Sequence, residues 1–117
     1  MNTIVLIDDD CELINEVKES LSGKFDVKCF EEPAEAFSYL RRYPVSAVIL
    51  DYQLRKSNGL LVAWDLVDRY PLMPVLFISS DREVEKKIEE LKFPHVDFIT
   101  KPFNKGELNS TLTNLQR

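Results

Sequence analysis

Five short apolar runs, each ended by polar or charged residues, constrain this chain more than any other feature. They occupy residues 3–7 (TIVLI), 25–30 (FDVKCF), 47–50 (AVIL), 75–78 (VLFI) and 97–100 (DFIT). The first, third and fourth are nearly unbroken Val, Ile and Leu, which suits strands buried on both faces. Between and after them lie five stretches with helical spacing. Residues 10–22 carry Leu13, Ile14, Val17 and Leu21, and Gly23 follows as a stop. Residues 33–43 open with Pro33 in the first turn and set Ala34, Phe37 and Leu40 along one side. Residues 59–70 turn Leu60, Ala63, Leu66 and Val67 inward, and Pro71 and Pro74 punctuate the exit. Residues 81–91 start at Asp81, a natural N-cap, and residues 104–115 start at Asn104. Strand and helix alternate five times with no linker and no repeat. The expected fold is α/β: a single doubly wound domain, with five parallel strands, right-handed crossovers and five helices over both faces.

Charge and cysteine usage narrow the function. Lys and Arg number 15 against 20 Asp and Glu, a net charge of −5, so direct nucleic-acid binding is not expected. Two cysteines, Cys11 and Cys29, make neither a disulfide framework nor a metal cluster and are expected to be free thiols. No apolar run approaches the ~20 residues of a bilayer span, and the apolar start lacks a basic region and a cleavage site. The expected location is cytoplasmic, away from membranes.

In a parallel α/β sheet, ligands bind beyond the carboxyl ends of the strands. The residues that follow the runs are therefore the candidates. Asp8, Asp9 and Asp10 follow the first, Asp51 the third, Ser79 and Ser80 the fourth, and Lys101 the fifth. Carboxylates crowded at one edge repel by a few kcal/mol per pair, which a divalent cation relieves. Oxygen-only ligands point to Mg²⁺ or Mn²⁺ and not to Zn²⁺. A lysine and a hydroxyl beside such a site suit a bound phosphoryl group. Each residue also has a plain structural reading. Asp10 suits an N-cap, the two serines suit a helix start, and Lys101 before Pro102 suits a solvated surface. The joint appearance after four strands is what carries the argument.

These residues resemble the receiver domain of bacterial two-component response regulators, of the chemotaxis-receiver kind. The likeness rests on Ile7-Asp8-Asp9-Asp10, on Asp51 with Leu54 and Gly59 three and eight positions on, on residues 74–80, and on Phe98-Ile99-Thr100-Lys101-Pro102-Phe103. It implies a flavodoxin-like strand order 2-1-3-4-5 and a phosphoprotein that takes part in phosphorelay signal transduction. Asp51 would be the phosphoacceptor, taking its phosphoryl group from a sensor histidine kinase or phosphotransfer protein. Asp9, Asp51 and the backbone carbonyl of Gln53 would hold Mg²⁺ directly, with Asp8 acting mainly through water. Lys101, Ser79 and Ser80 would meet the phosphoryl oxygens. Ser79 and Phe98 would form the switch, and Gln53 and Asp81 would tune dephosphorylation. The output would be a shift of the surface built from residues 82–92, 97–100 and 104–115, acting on a partner, a fused output domain or a homodimer formed on phosphorylation. His95 is the sole histidine and reads as a loop residue, so the phosphodonor must be another protein. Three features depart from the family: Arg55 stands for a usual Pro, Ser80 for Ala or Gly, and the pair Pro94-His95 for Gly-Ala. Residues 1–117 would form one receiver domain, either complete or the first part of a longer regulator.

Other readings stay open at this level. A haloacid-dehalogenase-like phosphatase would use Asp8 of the Asp-x-Asp element as nucleophile, but it leaves Asp51 idle and expects Thr or Val where Glu12 stands. A flavodoxin-like FMN module would need a Ser/Thr/Gly-rich phosphate loop in place of three aspartates. A receiver-shaped scaffold that signals without phosphate is the third. On residues 59–70, Leu61 and Trp64 fall together on the outside. Trp64 either packs on its own helix or joins Leu61 as a surface for a partner or a second copy.

Overall fold

The computed structural model describes residues 2–53 and 58–116. The expected alternation is present. β1 (Asn2–Ile7) leads to α1 (Cys11–Leu21), β2 (Phe25–Phe30) to α2 (Pro33–Arg42), and β3 (Ala47–Asp51) to α3 (Gly59–Arg69). β4 (Val75–Ser79) then leads to α4 (Glu83–Leu91), and β5 (Val96–Thr100) to α5 (Lys105–Leu115). The five strands are all parallel in the order β2-β1-β3-β4-β5.

Strand alternation divides the core between the two faces of the sheet. Val5, Ile7, Val48, Leu50, Val75 and Phe77 face α2, α3 and α4, where they meet Phe37, Leu40, Val62, Leu66 and Ile88. Ile4, Leu6, Ile49, Leu76 and Ile78 face α1 and α5, where they meet Leu13, Val17, Leu21, Leu108 and Leu112. β1, β3 and β4 lie inside the sheet and are covered on both sides, which is why their sequences run apolar without alternation. The two cysteines are free: Cys11 is exposed and Cys29 partly covered on the edge strand β2.

Helix starts follow local side-chain chemistry. Asp10 accepts from the Glu12 N–H at 3.0 Å, Asn58 from Leu60 N–H at 2.8 Å and Asn104 from Glu107 N–H at 2.7 Å. α4 begins two residues later than expected. Asp81 still accepts from the Glu83 N–H at 2.9 Å, but it does so from a turn that precedes the helix. On α2 the inward alanine is Ala36, not Ala34, which is exposed. On α3 the fully covered residues are Val62, Ala63 and Leu66, while Leu60 and Val67 are only half-covered. Both differences amount to a rotation of the buried stripe by part of a turn, set by where the helix meets the sheet.

Candidate functional site

The parallel register carries the ends of β1, β3, β4 and β5 to one edge. Ile7 pairs with Leu50, so the next residues, Asp8 and Asp51, come side by side. Asp51 pairs with Ile78 and Ser79 with Thr100, one residue before Lys101. The links between these strand ends are backbone bonds. Tyr52 N–H donates to Ile78 C=O at 3.1 Å and Lys101 N–H to Ser79 C=O at 2.9 Å, while on the other side Asp8 N–H ties the end of β1 to Phe30 C=O of β2 at 3.1 Å. The sheet itself therefore brings together four segments that are distant in sequence.

Asp51 is the fifth buried residue of β3 and only 4% exposed. Its Oδ2 accepts from Lys101 Nζ at 3.1 Å, and its Oδ1 from the Gln53 N–H at 2.9 Å. Asp8 is fully buried. Its Oδ1 accepts from the Asp10 N–H at 3.0 Å, but its Oδ2 has no hydrogen-bond partner. Burial pushes the Asp8 carboxyl up from 3.8 to about 6. The Asp10 N–H opposes that rise, the Asp51 charge adds to it, and the Lys101 charge opposes it. Ser79 is buried and its Oγ accepts from the Asp81 N–H at 3.1 Å. Ser80 is exposed, with its Oγ 3.5 Å from Oε1 of an exposed Gln53. Phe98 is half-buried on β5, and Asp9 is half-buried beside Asp8.

Asp8, Asp51, Ser79 and Lys101 thus gather at one edge of the sheet, and Gln53 and Ser80 are exposed beside them. Asp10 caps α1 by accepting from the Glu12 N–H. Leu54 and Arg55, both part of the sequence argument, lie outside the described residues. Among the described residues, no three acidic, histidine or cysteine side chains form a closed metal cage. Mg²⁺ does not require one. It keeps several waters and binds through one or two carboxylates together with phosphate oxygens. An orphaned, buried carboxylate oxygen beside a second carboxylate fits that requirement, because a cation supplies the partner that Asp8 Oδ2 lacks.

Gly59 is part of the site in a way that its spacing alone does not explain. A Cβ there would stand 2.6 Å from both the Cα and O of Tyr52 and 2.8 Å from the Asp51 C=O. The start of α3 is pressed against the end of β3, and Gly59 N–H donates to Tyr52 C=O at 3.2 Å. Only a residue without a side chain allows that approach. His95 is exposed in the α4–β5 connection with φ 55°, and its C=O accepts from Val75 N–H at 2.9 Å.

Comparison with known proteins agrees with this architecture. The family model for the response regulator receiver domain matches residues 4–113. An NtrX-like response regulator of Rickettsia conorii is 34% identical over 113 residues, covering 94% of this chain and 24% of its own length. The aerobic respiration control protein ArcA of Escherichia coli is 33% identical over 113 residues, covering 96% of this chain and 47% of its own length. The chain thus spans between about a quarter and about half of these relatives. Among solved structures, the N-terminal signal receiver domain of a Bacteroides fragilis response regulator superposes with TM-score 0.89 at 24% identity, covering 100% of this chain and 98% of that one. That likeness supports the fold. The match to the receiver model sets aside the phosphatase and FMN readings of the acidic residues. With the family model spanning nearly the whole chain and relatives above 30% identity agreeing, this chain belongs to the response regulator receiver domain family of bacterial two-component systems.

Proposed function

We propose that Asp51 accepts a phosphoryl group from a phosphohistidine on a partner protein and that this modification switches the surface formed by α4, β5 and α5. Receiver domains are signalling domains that interact with histidine kinases and output domains, and they generally bind Mg²⁺ at the phosphorylation site. The observation that carries the reading is the contact of Lys101 Nζ with Asp51 Oδ2 at 3.1 Å, beside the orphaned carboxylate oxygen of Asp8.

In the proposed transfer, a carboxylate oxygen of Asp51 attacks phosphorus. The P–N bond to the donor imidazole breaks, and its electron pair returns to the ring nitrogen, which takes a proton from solvent. Lys101 meets the negative charge on the phosphoryl oxygens and holds them in line for attack. Asp8, Asp9, Asp51 and the Gln53 carbonyl are the groups that would hold Mg²⁺, which when bound neutralises charge shared by carboxylates and phosphoryl oxygens. The Ser79 hydroxyl leaves the Asp81 N–H to donate to a phosphoryl oxygen, and half-buried Phe98 turns inward behind it. Ser80 and Gln53 line the approach of the donor, and Gln53 and Asp81 govern access of water to the acyl phosphate. The shift of surface populations amounts to a few kcal/mol at most. Its readers would be an output partner, a fused output domain or a second copy. Residues 1–117 act here as one receiver unit working in the cytoplasm.

Incubation with a small-molecule phosphodonor and Mg²⁺, followed by intact-mass measurement, tests this. A phosphoryl adduct is expected in the wild type, weaker in Asp8→Asn and absent in Asp51→Asn. Absence of an adduct in the wild type would favour a scaffold that signals without phosphate, and an adduct retained in Asp51→Asn would remove the assignment.

A further inference from the structure

The outer stripe of α3 has no role in phosphoryl chemistry, yet its composition is unusual for a solvated helix face. Leu61, Trp64, Asp65 and Asp68 follow i, i+3, i+4, i+7 spacing and are all exposed, Leu61 at 64% and Trp64 at 49%. The Trp64 ring meets Phe93, in the α4–β5 connection, edge-on at 4.8 Å and 86°. Phe93 is flanked by Lys92 and His95, both in the left-handed backbone region at φ 52° and 55°. An aromatic patch thus bridges α3 and the end of α4, with Leu61 at one end.

Among the described residues, the charge around the patch is mainly acidic. Arg69 is the only base on α3, and its guanidinium lies over the Phe37 ring at 4.8 Å, committed to the α2 side. The stripe therefore offers Asp65 and Asp68 alone. Phe93 also borders a cavity of about 110 Å³ whose rim carries Glu85, Glu89 and Asp97 against the single base Lys92.

We propose that the Leu61–Trp64–Phe93 face, with Asp65 and Asp68, docks a basic amphipathic helix of a partner protein. Aliphatic residues of that helix cover Leu61 and Trp64, and its Lys or Arg side chains meet the two aspartates. The sign of the charge selects this occupant. A twofold contact between two copies would set Asp65 and Asp68 against their own kind, and an anionic lipid surface meets the same repulsion. The inference stands on this surface and not on phosphoryl transfer, so Asp51→Asn must bind as the wild type does even if Asp51 is never modified.

Trp64 is the only tryptophan, so its emission reports on this face alone. The probe is a synthetic Lys/Leu amphipathic peptide of about 18 residues, five helical turns, free of aromatic residues and fluorescein-labelled for anisotropy. Saturable binding with a blue shift of Trp64 emission is expected. Trp64→Ala should weaken binding by at least about tenfold, as for an aromatic anchor. The double variant Asp65→Asn/Asp68→Asn should weaken it roughly threefold to tenfold, with the difference shrinking as salt rises. The control Glu16→Gln/Glu19→Gln, on the exposed face of α1, should leave it unchanged. All five substituted positions are exposed, and circular dichroism verifies folding. The proposal is overturned by absent binding, by an equal loss in the α1 control, by Trp64-dependent dimers in light scattering, or by tighter binding to anionic vesicles than to the peptide.

Discussion

Replacing Asp8 with Asn tests the central electrostatic claim, that the site is destabilised until a cation enters it. Asp8 is fully buried, with one oxygen bonded to the Asp10 N–H and the other unpartnered. Its carboxyl rises from 3.8 to about 6, chiefly through burial. In the native protein it holds a proton that the unfolded chain has released across that interval. The contribution of Asp8 to stability therefore falls as pH rises from about 4 to about 6, and stays low above. At about 1.4 kcal/mol per pH unit the full penalty is roughly 3 kcal/mol. Asn keeps an oxygen for the Asp10 N–H but leaves its own amide to find an acceptor, which costs about 1–2 kcal/mol. The net expectation is that Asp8→Asn stabilises the metal-free protein by roughly 1–2 kcal/mol at pH 8, against no gain below pH 4. Urea denaturation monitored by circular dichroism at pH 4, 6 and 8 measures this. Mg²⁺ at a hundred times its Kd adds about 2.7 kcal/mol to a protein with an intact site, and the variant should lose most of that increment. A variant no more stable than wild type at pH 8, or equally stabilised at pH 4, would refute the reasoning. So would an unchanged response to Mg²⁺.

Lys101→Ala removes the cation that bonds Asp51 Oδ2, and phosphoryl adduct formation from a small-molecule donor should slow by roughly 10²-fold, as for loss of a donor to a developing anion. Gly59→Ala gains at most ~1 kcal/mol of helix propensity but forces a Cβ within 2.6 Å of the Tyr52 backbone. The clash, of order 1–3 kcal/mol, dominates, so a lower thermal midpoint and slower adduct formation at Asp51 are expected together. Asn109, 7% exposed, ties α5 to α1 by donating to the Ser20 and Lys105 carbonyls at 2.9 Å each. Asn109→Ala should lower the urea midpoint by an amount worth about 1–2 kcal/mol, with the denaturant slope unchanged.

The periods of apolar residues, the stop at Gly23, Pro33 in a first turn and the caps at Asp10 and Asn104 all act within a few residues. That is why the ten elements, their order and the layering of the fold could be read directly from the chain. The acidic site was legible for a related reason. Once a parallel sheet is inferred, every strand end is sent to one edge, so Asp8, Asp51, Ser79 and Lys101 must meet. Only the tertiary structure decided how each of them is placed. Adjacent in sequence, Asp8 and Asp9 differ in burial, since the end of β1 tucks one carboxylate beneath the sheet edge and leaves its neighbour half in water. Gly59 is required by the approach of α3 to Tyr52, a distance between elements that spacing cannot express. Trp64 meets Phe93, 29 residues on, because the end of α4 returns beside α3. Local periodicity is encoded in neighbouring residues, whereas burial and cross-element contact depend on where distant segments stop, and packing alone sets that.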